Sequence, residues 1–448
     1  MRQGDVVKRC VLLLTAALLV TGSAASAADP PFTPAERTAI ATAVGLTPEG
    51  PAGLDDAAVT ERLLTHARTE AGQRVRPSSI DLLWTVEPRR RDLAGELRLA
   101  RAGVGLEAWL RALPPTSAQY QALRAGRAHY AALAAAGGWK ALPEGPTLRP
   151  GERAEAAPAL RKRLAIEGYG EEAVTGDPGL FDPALETAVR TFQESHALDV
   201  DGVVGPATRR ALDVPAAERL AQVDANLERW RWMPAALPAD RVEVDTGAQE
   251  AVLYRGGAPV LRMRAIVGAP KHPTPMFATR IEAVVFNPPW NVPASIARNE
   301  LLPAEARRPG LLASMGIRWT DGHLQQRPGP NNSLGQVKFD IPNRFGVYLH
   351  DTPGKGLFAQ PVRAFSHGCM RLQMPRELAA ALLAPQGGSP ATVEAAIAAA
   401  ATKRVNLRQP LPVYVLHFTV RAEAGRLIFH PDIYGWDRKL AAALVGAD

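Results

Sequence analysis

The hydrophobic pattern of this 448-residue chain changes at Arg241, and this change constrains the fold more than any other feature. Before Arg241, apolar residues recur at spacings of three and four, which is typical of amphipathic helices. After Arg241, short β-branched segments alternate with Gly and Pro turns, which indicates strands in a mainly antiparallel arrangement. The sequence therefore predicts a multidomain α+β protein, with helical domains first and a mainly antiparallel β domain last.

The predicted helices begin after caps or proline and end near glycine or a polar residue. They cover Asp55–Thr69, Leu93–Leu113, Ala156–Glu167, Asp182–His196 and Pro206–Leu212. The predicted strands cover Arg241–Thr246, Ala251–Tyr254, Val260–Val267, Arg280–Phe286, Phe345–His350, Val413–Val420 and Arg426–His430. A long Pro-, Gly- and Asn-rich insertion at about 291–340 is expected to form a cap, because long loops in compact domains are commonly lids or binding loops.

The domain boundaries follow from these elements. They are a signal peptide (1–28), a helical N-terminal scaffold (29–148), a small three-helix module (149–214), a linker helix (215–240), the β domain (241–436) and a C-terminal tail (437–448).

The first 28 residues have the composition of a secretory signal peptide. A basic start precedes an apolar run at 11–20, and Ala25-Ser26-Ala27 suits signal peptidase. An uncleaved anchor is disfavoured because the apolar run is short for a membrane span. We expect cleavage near Ala27/Ala28 and a periplasmic protein with no transmembrane span.

The charge of the chain excludes one class of partner. The formal net charge of +7 is mild, and no dense run of Lys and Arg interleaves with aromatic residues. Nucleic acid is therefore a poor candidate, whereas an anionic wall polymer is a reasonable one.

Cys369 is the one cysteine that remains when the signal segment with Cys10 is removed. It has no partner for an internal disulfide, so its thiol is either buried and inert or reactive. It lies in Ser366-His367-Gly368-Cys369-Met370-Arg371. An imidazole can lower the thiol pKa and take its proton. Gly368 would allow close approach of a substrate, and nearby N–H groups could bind an oxyanion.

A second segment, Phe345–His350, offers another imidazole. In a strand, Tyr348 and His350 would lie on one face while Val347 and Leu349 pack into the core. By the same alternation, His367, Cys369 and Arg371 would share one side if their segment is extended.

Three other interpretations compete with a reactive thiol or with its histidine base. Zinc could bind His350, His367 and Cys369, but the irregular spacing and the lack of a CxxC or HxxxH pattern disfavour a metal site. A buried inert cysteine would not need such polar neighbours. The Asp351 carboxylate could orient a histidine, although a carboxylate in a turn more commonly caps or is solvated.

Residues 149–214 resemble the three-helix peptidoglycan-binding module of wall enzymes. The resemblance rests on Phe192-Gln193, Asp201-Gly202-Val203-Val204-Gly205 and Pro206-Ala207-Thr208. A helical spacer without a ligand stays an alternative, because the same residues would form the small core.

Residues 241–436 resemble the L,D-transpeptidase catalytic domain. The nucleophile motif is Ser366–Leu372, preceded by His350, and Phe286–Pro293, Tyr348–Pro353 and Asp432–Gly435 are similar to the large periplasmic subgroup. That subgroup has a helical scaffold, a wall-binding module and a cap over the active site, in the same order as this chain.

The resemblance assigns catalytic roles to four residues. Cys369 is the nucleophile and Gly368 contributes a backbone oxyanion donor. Some members have Ser at the position of His367. The resemblance therefore implies that His350 is the general base, and that His367 positions or polarises the thioester carbonyl.

Four more residues receive expected roles. Arg371 is a clamp for a substrate carboxylate, or a structural residue. Tyr348 hydrogen-bonds the oxyanion or the base. Trp290 and Ser366 are candidate substrate-binding residues, and no cofactor or metal is implied.

The implied reaction joins peptidoglycan stem peptides. Cys369 attacks a tetrapeptide donor, releases the terminal D-Ala and passes the acyl group to a diaminopimelate amine of a second stem, giving a 3→3 cross-link. An L,D-carboxypeptidase that uses water as acceptor and a non-catalytic wall-binding protein are the alternatives. A partner wall synthase is left unassigned.

Overall fold

The computed structural model describes residues 30–45, 54–173 and 176–446. The predicted signal peptide lies outside the described residues. Within these ranges, no helix combines the length and the apolarity needed to cross a membrane.

The N-terminal region is helical, as predicted. In the described part of the chain its helices are α1 (Pro34–Val44), α2 (Asp56–Glu70), α3 (Pro77–Ile80), α4 (Leu93–Leu99), α5 (Leu106–Arg111) and α6 (Ala118–Ala135). The helix predicted over Asp55–Thr69 is confirmed as α2, and its N-cap Asp55 accepts from the Ala58 N–H at 2.7 Å. The helix predicted over Leu93–Leu113 is wrong as a single element. A π-helical turn follows α4, and Gly105, with φ +89°, separates it from α5.

The module contains the three predicted helices, α7 (Ala157–Glu167), α8 (Pro183–Ser195) and α9 (Pro206–Leu212). Gln193 on α8 accepts from the Gly202 N–H at 2.8 Å and donates to the Val203 carbonyl at 3.0 Å. These bonds hold the Asp-Gly turn against α8. The Phe-Gln and Asp-Gly parts of the sequence pattern therefore build the core of the module. The next helix, α10 (Ala216–Arg231), was predicted as a linker.

The β domain is mainly antiparallel. Its strands are β1 (Arg241–Asp245), β2 (Glu250–Arg255), β3 (Ala258–Gly268), β4 (Phe277–Phe286), β5 (Trp290–Asn291), β6 (Ile317–Thr320), β7 (His323–Gln326), β8 (Val337–Asp340), β9 (Leu349–His350), β10 (Ala364–Ser366), β11 (Met370–Leu372), β12 (Lys403–Leu416), β13 (Val420–Glu423) and β14 (Arg426–Phe429). Among the described residues, nine of them form one sheet in the order β10-β3-β11-β9-β8-β4-β12-β1-β2. Because β2 also pairs with β3, the sheet closes on itself and encloses a core.

Two predicted strands differ from the structure. The strand predicted over Phe345–His350 is reduced to β9, because the Asn343 side chain accepts from the Phe345 N–H at 3.0 Å and Gly346 turns the chain at φ +68°. The strand predicted over Val413–Val420 is wrong as a single element: its first part is the end of β12, which runs from Lys403 to Leu416, and Val420 begins β13. The first part of β12 was not predicted, because Pro410 argues against a continuous strand. In the structure Pro410 lies at a register shift of β12, where a strand tolerates proline.

The cap forms its own small unit. Strands β5, β7 and β6 make a three-stranded sheet, covered by α11 (Ala294–Ile296), α12 (Leu302–Arg307) and α13 (Leu311–Ser314). Val292, Leu312 and Leu324 are buried in its core. The predicted cap boundary at about 340 is too late, because β8 belongs to the main sheet.

Helices α14 (Pro375–Leu383) and α15 (Pro390–Ala398) close the core of the β domain with Leu378, Leu382 and Val393.

The predicted C-terminal tail is instead a helix, α16 (Trp436–Val445), which buries one face against the protein through Trp436, Leu440 and Leu444. Its Asp437 forms an ion pair with Arg229 of α10 and accepts from the Thr419 hydroxyl at 2.6 Å. Asn226 of α10 accepts from the Thr419 N–H at 2.9 Å. Helix α10 therefore supports the β domain rather than only linking it to the module.

The module packs directly on the β domain. The His196 ring, at the end of α8, stacks between Phe192 and Phe429 of β14, with ring-centre distances of 3.8 and 5.3 Å. His196 is 3% exposed, and its burial holds its pKa well below the usual value. A neutral, stacked imidazole thus joins two cores.

Candidate active site

Strands β9 and β11 lie side by side and in parallel. Leu349 pairs with Met370 and His350 pairs with Arg371. The Met370 N–H donates to the Tyr348 carbonyl at 3.0 Å, so Cys369 lies next to Tyr348. The rings of Tyr348 and His350 are 5.5 Å apart, which agrees with the prediction that they share one face. The sheet register therefore gathers a thiol, a phenol, an imidazole and a guanidinium.

The loop before Cys369 is held by hydrogen bonds. The Ser366 hydroxyl accepts from the Gly368 N–H at 3.1 Å and donates to the Cys369 carbonyl at 2.6 Å. Thr274 donates its hydroxyl hydrogen to the Gly368 carbonyl at 2.9 Å. Gly368 has φ +104°, which L side chains rarely adopt. The segment from His367 to Arg371 is therefore not extended throughout, because the chain turns at Gly368, and the condition for the three side chains to share one side is not met.

His350 is 4% exposed and its Nδ1 donates to the Asp351 carbonyl. Since a carbonyl only accepts, the proton is on Nδ1. A further backbone hydrogen bond, with Leu334, also acts on the ring and raises its pKa. Burial lowers the pKa of His350 to about 3, and the Arg371 cation adds to this effect. The imidazole is therefore neutral at neutral pH and able to accept a proton.

Burial raises the pKa of the Cys369 thiol, and contacts with Tyr348 and the charges of Arg371 and Lys338 partly oppose this. The thiol and His350 are thus both neutral in the resting protein.

The Tyr348 hydroxyl connects the thiol to the cap. Burial raises the pKa of Tyr348, its interactions with Cys369 raise it further, and a hydrogen bond from Trp290 lowers it. Trp290 begins the cap in β5. The phenol therefore lies between the Cys369 thiol and the first residue of the cap.

Arg371 is half-buried and unpaired. No described residue forms an ion pair with its guanidinium, and its Nε is buried without a hydrogen-bond partner. Burial lowers the pKa of Arg371. A buried cation without a carboxylate is costly, so the site is suited to an anionic group.

The Asp351 carboxylate does not orient the histidine. It accepts from Lys355 Nζ at 2.6 Å and from the Gln336 N–H at 2.9 Å. It is the carbonyl of Asp351 that binds His350.

Family models match three parts of the chain. Residues 239–398 match the model described as "L,D-transpeptidase catalytic domain". The chain carries an L,D-transpeptidase catalytic domain. Residues 153–212 match "Putative peptidoglycan binding domain" and residues 26–126 match "Scaffold domain". The transpeptidase domain contains Cys369 and His350.

Two curated proteins are similar to parts of this chain. "Putative L,D-transpeptidase" of Haemophilus influenzae is 31% identical over 216 residues, which is 44% of this chain and 44% of that protein. "N-acetylmuramoyl-L-alanine amidase CwlM" of Mycobacterium tuberculosis is 42% identical over 76 residues, which is 15% of this chain and 19% of that protein. The chain thus spans less than half the length of these relatives.

Solved L,D-transpeptidase structures are also similar to this chain, with low TM-scores. The structure from Xylanimonas cellulosilytica shares 17% identity and covers 61% of this chain and 98% of that chain, with a TM-score of 0.20. L,D-transpeptidase 3 from Mycobacterium tuberculosis shares 17% identity and covers 40% of this chain and 62% of that chain, with a TM-score of 0.22. Scores this low carry no argument about the transpeptidase domain.

Three predicted site residues of the transpeptidase domain make contacts within the protein. Ser366 is 2% exposed and its hydroxyl forms hydrogen bonds within the loop. The Gly368 N–H donates to the Ser366 hydroxyl. His367 faces the cap, where its Nε2 lies 2.6 Å from Glu300 Oε1, and its ring stacks on His272 at 4.6 Å.

Sequence reasoning missed Lys338. It pairs in register with His350 from β8, and its Nζ lies 4.6 Å from the centre of the Tyr348 ring. Burial lowers the pKa of Lys338. The alternation Val337-Lys338-Phe339-Asp340 carried the signal, because it puts Lys338 on the polar face of a strand.

Proposed function

We propose that the protein is a cysteine-dependent L,D-transpeptidase that forms 3→3 cross-links between peptidoglycan stem peptides. The proposal is supported most by the juxtaposition of Cys369, Tyr348, His350 and Arg371 on adjacent strands of a matched transpeptidase domain. Peptidoglycan is the substrate class that fits both matched domains.

The first step forms a thioester. Cys369 Sγ attacks the carbonyl of the third residue of a tetrapeptide donor, and His350 Nε2 takes the thiol proton. The tetrahedral intermediate collapses, the amide C–N bond breaks, and protonated His350 gives its proton to the leaving D-Ala amine. Because the base is neutral and buried beforehand, it needs no deprotonation before this step.

The second step transfers the acyl group. The side-chain amine of a diaminopimelate on a second stem attacks the thioester, and His350 takes the amine proton. The C–S bond breaks, and the same proton returns to the Cys369 sulfur. The products are a new amide and the free thiol, so the enzyme is restored.

Two hydrogen-bond donors could stabilise the oxyanion that forms in each of the two steps. The Cys369 N–H has no hydrogen-bond acceptor among the residues that the structure describes. The Tyr348 hydroxyl lies beside the thiol. Removal of one such donor typically costs ~10²–10³ in kcat. Arg371, unpaired and half-buried, would bind a stem carboxylate.

Export to the periplasm follows from the same proposal, because peptidoglycan lies outside the cytoplasmic membrane. The matched peptidoglycan-binding module would keep the enzyme on the wall.

The test is incubation of the purified protein with tetrapeptide muropeptides, with products separated by chromatography and mass spectrometry. We expect 3→3 dimers and released D-Ala, and neither product from Cys369→Ala. Tripeptide without dimers would instead identify an L,D-carboxypeptidase. Equal turnover by Cys369→Ala would exclude Cys369 as nucleophile.

A further inference from the structure

A cavity of about 1170 Å³ lies between the module, helix α10 and the β domain. Its walls come from α9, α10, the turn after β1, the segment 361–363 and α16. Neither Cys369 nor His350 lines the cavity. It is therefore a second site, separate from the thiol.

The cavity has an excess of unpaired positive charge. Its arginines form no ion pair with any acidic side chain in the described ranges, and they are Arg210, Arg219, Arg264, Arg363 and Arg438. Two of its acidic residues are already paired with arginines: Glu250 with Arg262 and Asp437 with Arg229. Asp199, Glu218 and Asp432 remain, and Asp432 contacts only His417 among the ionisable side chains, so five cations face three carboxylates.

Two of these cations donate hydrogen bonds only to neutral groups, although the charges of Glu167 and Glu250 act on Arg219 and Arg363 respectively at longer range. Arg219 is 7% exposed, donates to Gln222 Oε1 and the Ala211 carbonyl at 3.0 Å each, and leaves its Nε without a partner. Arg363 donates only to backbone carbonyls and also leaves its Nε unpaired. Burial lowers the pKa of Arg363, neighbouring Arg264 lowers it further, and the charge of Glu250 opposes both effects in part. Carbonyl dipoles offset a buried cation less well than a carboxylate does, so an anionic ligand would be stabilised here.

The rest of the lining matches a peptide rather than a bare ion. Small apolar side chains such as Ala197, Leu198, Ala211 and Val214 lie among the arginines. The segment that carries Arg363 continues directly into β10 and the nucleophile loop.

We propose that this cavity binds a carboxylate-bearing stem peptide of the wall, next to the thiol site but not in it. The arginines would bind its carboxylates and the apolar wall its alanine methyl groups. The identity of the ligand as a stem peptide rests on the proposed function. The module and the β domain would then bind the same wall peptide jointly, at the boundary between them.

The test measures binding by calorimetry with the full chain, after alkylation of Cys369 by iodoacetamide to stop turnover and obstruct the thiol site. The probes are a soluble disaccharide-tetrapeptide and the same compound with its carboxyls amidated. Arg210 and Arg438 are both exposed, so R210Q/R438Q should fold normally. R62Q/R98Q removes two exposed charges from the N-terminal helices and is the matched control.

We expect R210Q/R438Q to bind the disaccharide-tetrapeptide about tenfold more weakly than the wild-type protein, and R62Q/R98Q to bind it with unchanged affinity. The wild-type protein should bind the amidated probe more weakly than the unmodified one. Wild-type affinity in R210Q/R438Q, or for the amidated probe, would overturn the proposal. Since binding is read without turnover, the two proposals fail separately. Binding without any product from the unmodified enzyme contradicts only the transpeptidase function, whereas dimers with arginine-independent binding contradict only the cavity site.

Discussion

His367 Nε2 lies 2.6 Å from Glu300 Oε1, and this contact joins the loop before Cys369 to the cap. The two side chains are 35% and 50% exposed, so the pair contributes less than about 1 kcal/mol to stability. The imidazole adjacent to Cys369 in sequence is thus engaged by the cap. The distant imidazole, His350, is buried, neutral and held by a carbonyl.

This difference predicts unequal effects of the two histidines on catalysis. His350→Ala should lower the rate of thioester formation ~10²–10⁴-fold, the usual contribution of a general base. His367→Ala should lower it less than tenfold, because only a partly exposed contact is lost. Single-turnover acylation of Cys369, followed by mass spectrometry, measures both rates. Equal losses would contradict the choice of base.

The pH dependence of acylation should reflect a base with a low pKa. Burial and Arg371 lower the pKa of His350 to about 3, so its proton-accepting form predominates at every pH above that value. The acylation rate should therefore begin to fall only well below pH 6.5. Protonation of His350 should cause no decrease in the rate between pH 8 and pH 6. An acid limb at the usual histidine pKa would show that His350 is not the base.

Stability should decrease as the pH falls below about 6.5. The pKa values of His196, His350 and His430 are all lowered by burial in the folded protein. Between these folded values and the unfolded value near 6.5, the unfolded chain binds more protons, so the free energy of unfolding decreases with acidification. Denaturant unfolding at pH 7 and pH 5 measures this. His196→Gln should reduce the difference between the two pH values, and an unchanged difference would argue against the linkage.

Ser366→Ala should act on the loop rather than on substrate affinity. The change leaves the Gly368 N–H without its acceptor and the Cys369 carbonyl without its donor, at a cost of about 1–3 kcal/mol. We expect a lower free energy of unfolding and a lower kcat with little change in KM. Ser366→Thr keeps the hydroxyl and is the control. A raised KM alone would restore the substrate-binding role.

Carbapenems should acylate Cys369. A strained β-lactam carbonyl presents the same electrophile as the donor amide, next to a thiol with a neutral base. Intact-protein mass spectra should show one covalent adduct, and Cys369→Ala should show none. An adduct that persists in Cys369→Ala would place the reactive group elsewhere.

Local sequence patterns predicted those helices and strands whose formation depends mainly on neighbouring residues. Caps and periodicity identify α2 and α8, and alternation identifies β1 to β4. The closure of the sheet through β2 and β3 depends on contacts that no local pattern encodes. Gly346 illustrates the same limit, because one positive φ shortened a strand that alternation predicted in full.

The site was predicted in part for a similar reason. Cys369 and His350 carry distinctive chemistry, so their types and positions could be recognised. The group that orients His350 is a backbone carbonyl, which every residue has, and sequence cannot single it out. The partner of His367 comes from 67 residues away in the cap, through folding of the insertion.

The stacked ring of His196 also bears on how the protein unfolds. Because this ring lies between Phe192 and Phe429, separating the module would expose aromatic surface on both sides. The module and the β domain should therefore unfold as one cooperative unit. A chain truncated near residue 215 would expose an aggregation-prone apolar surface where the module had been.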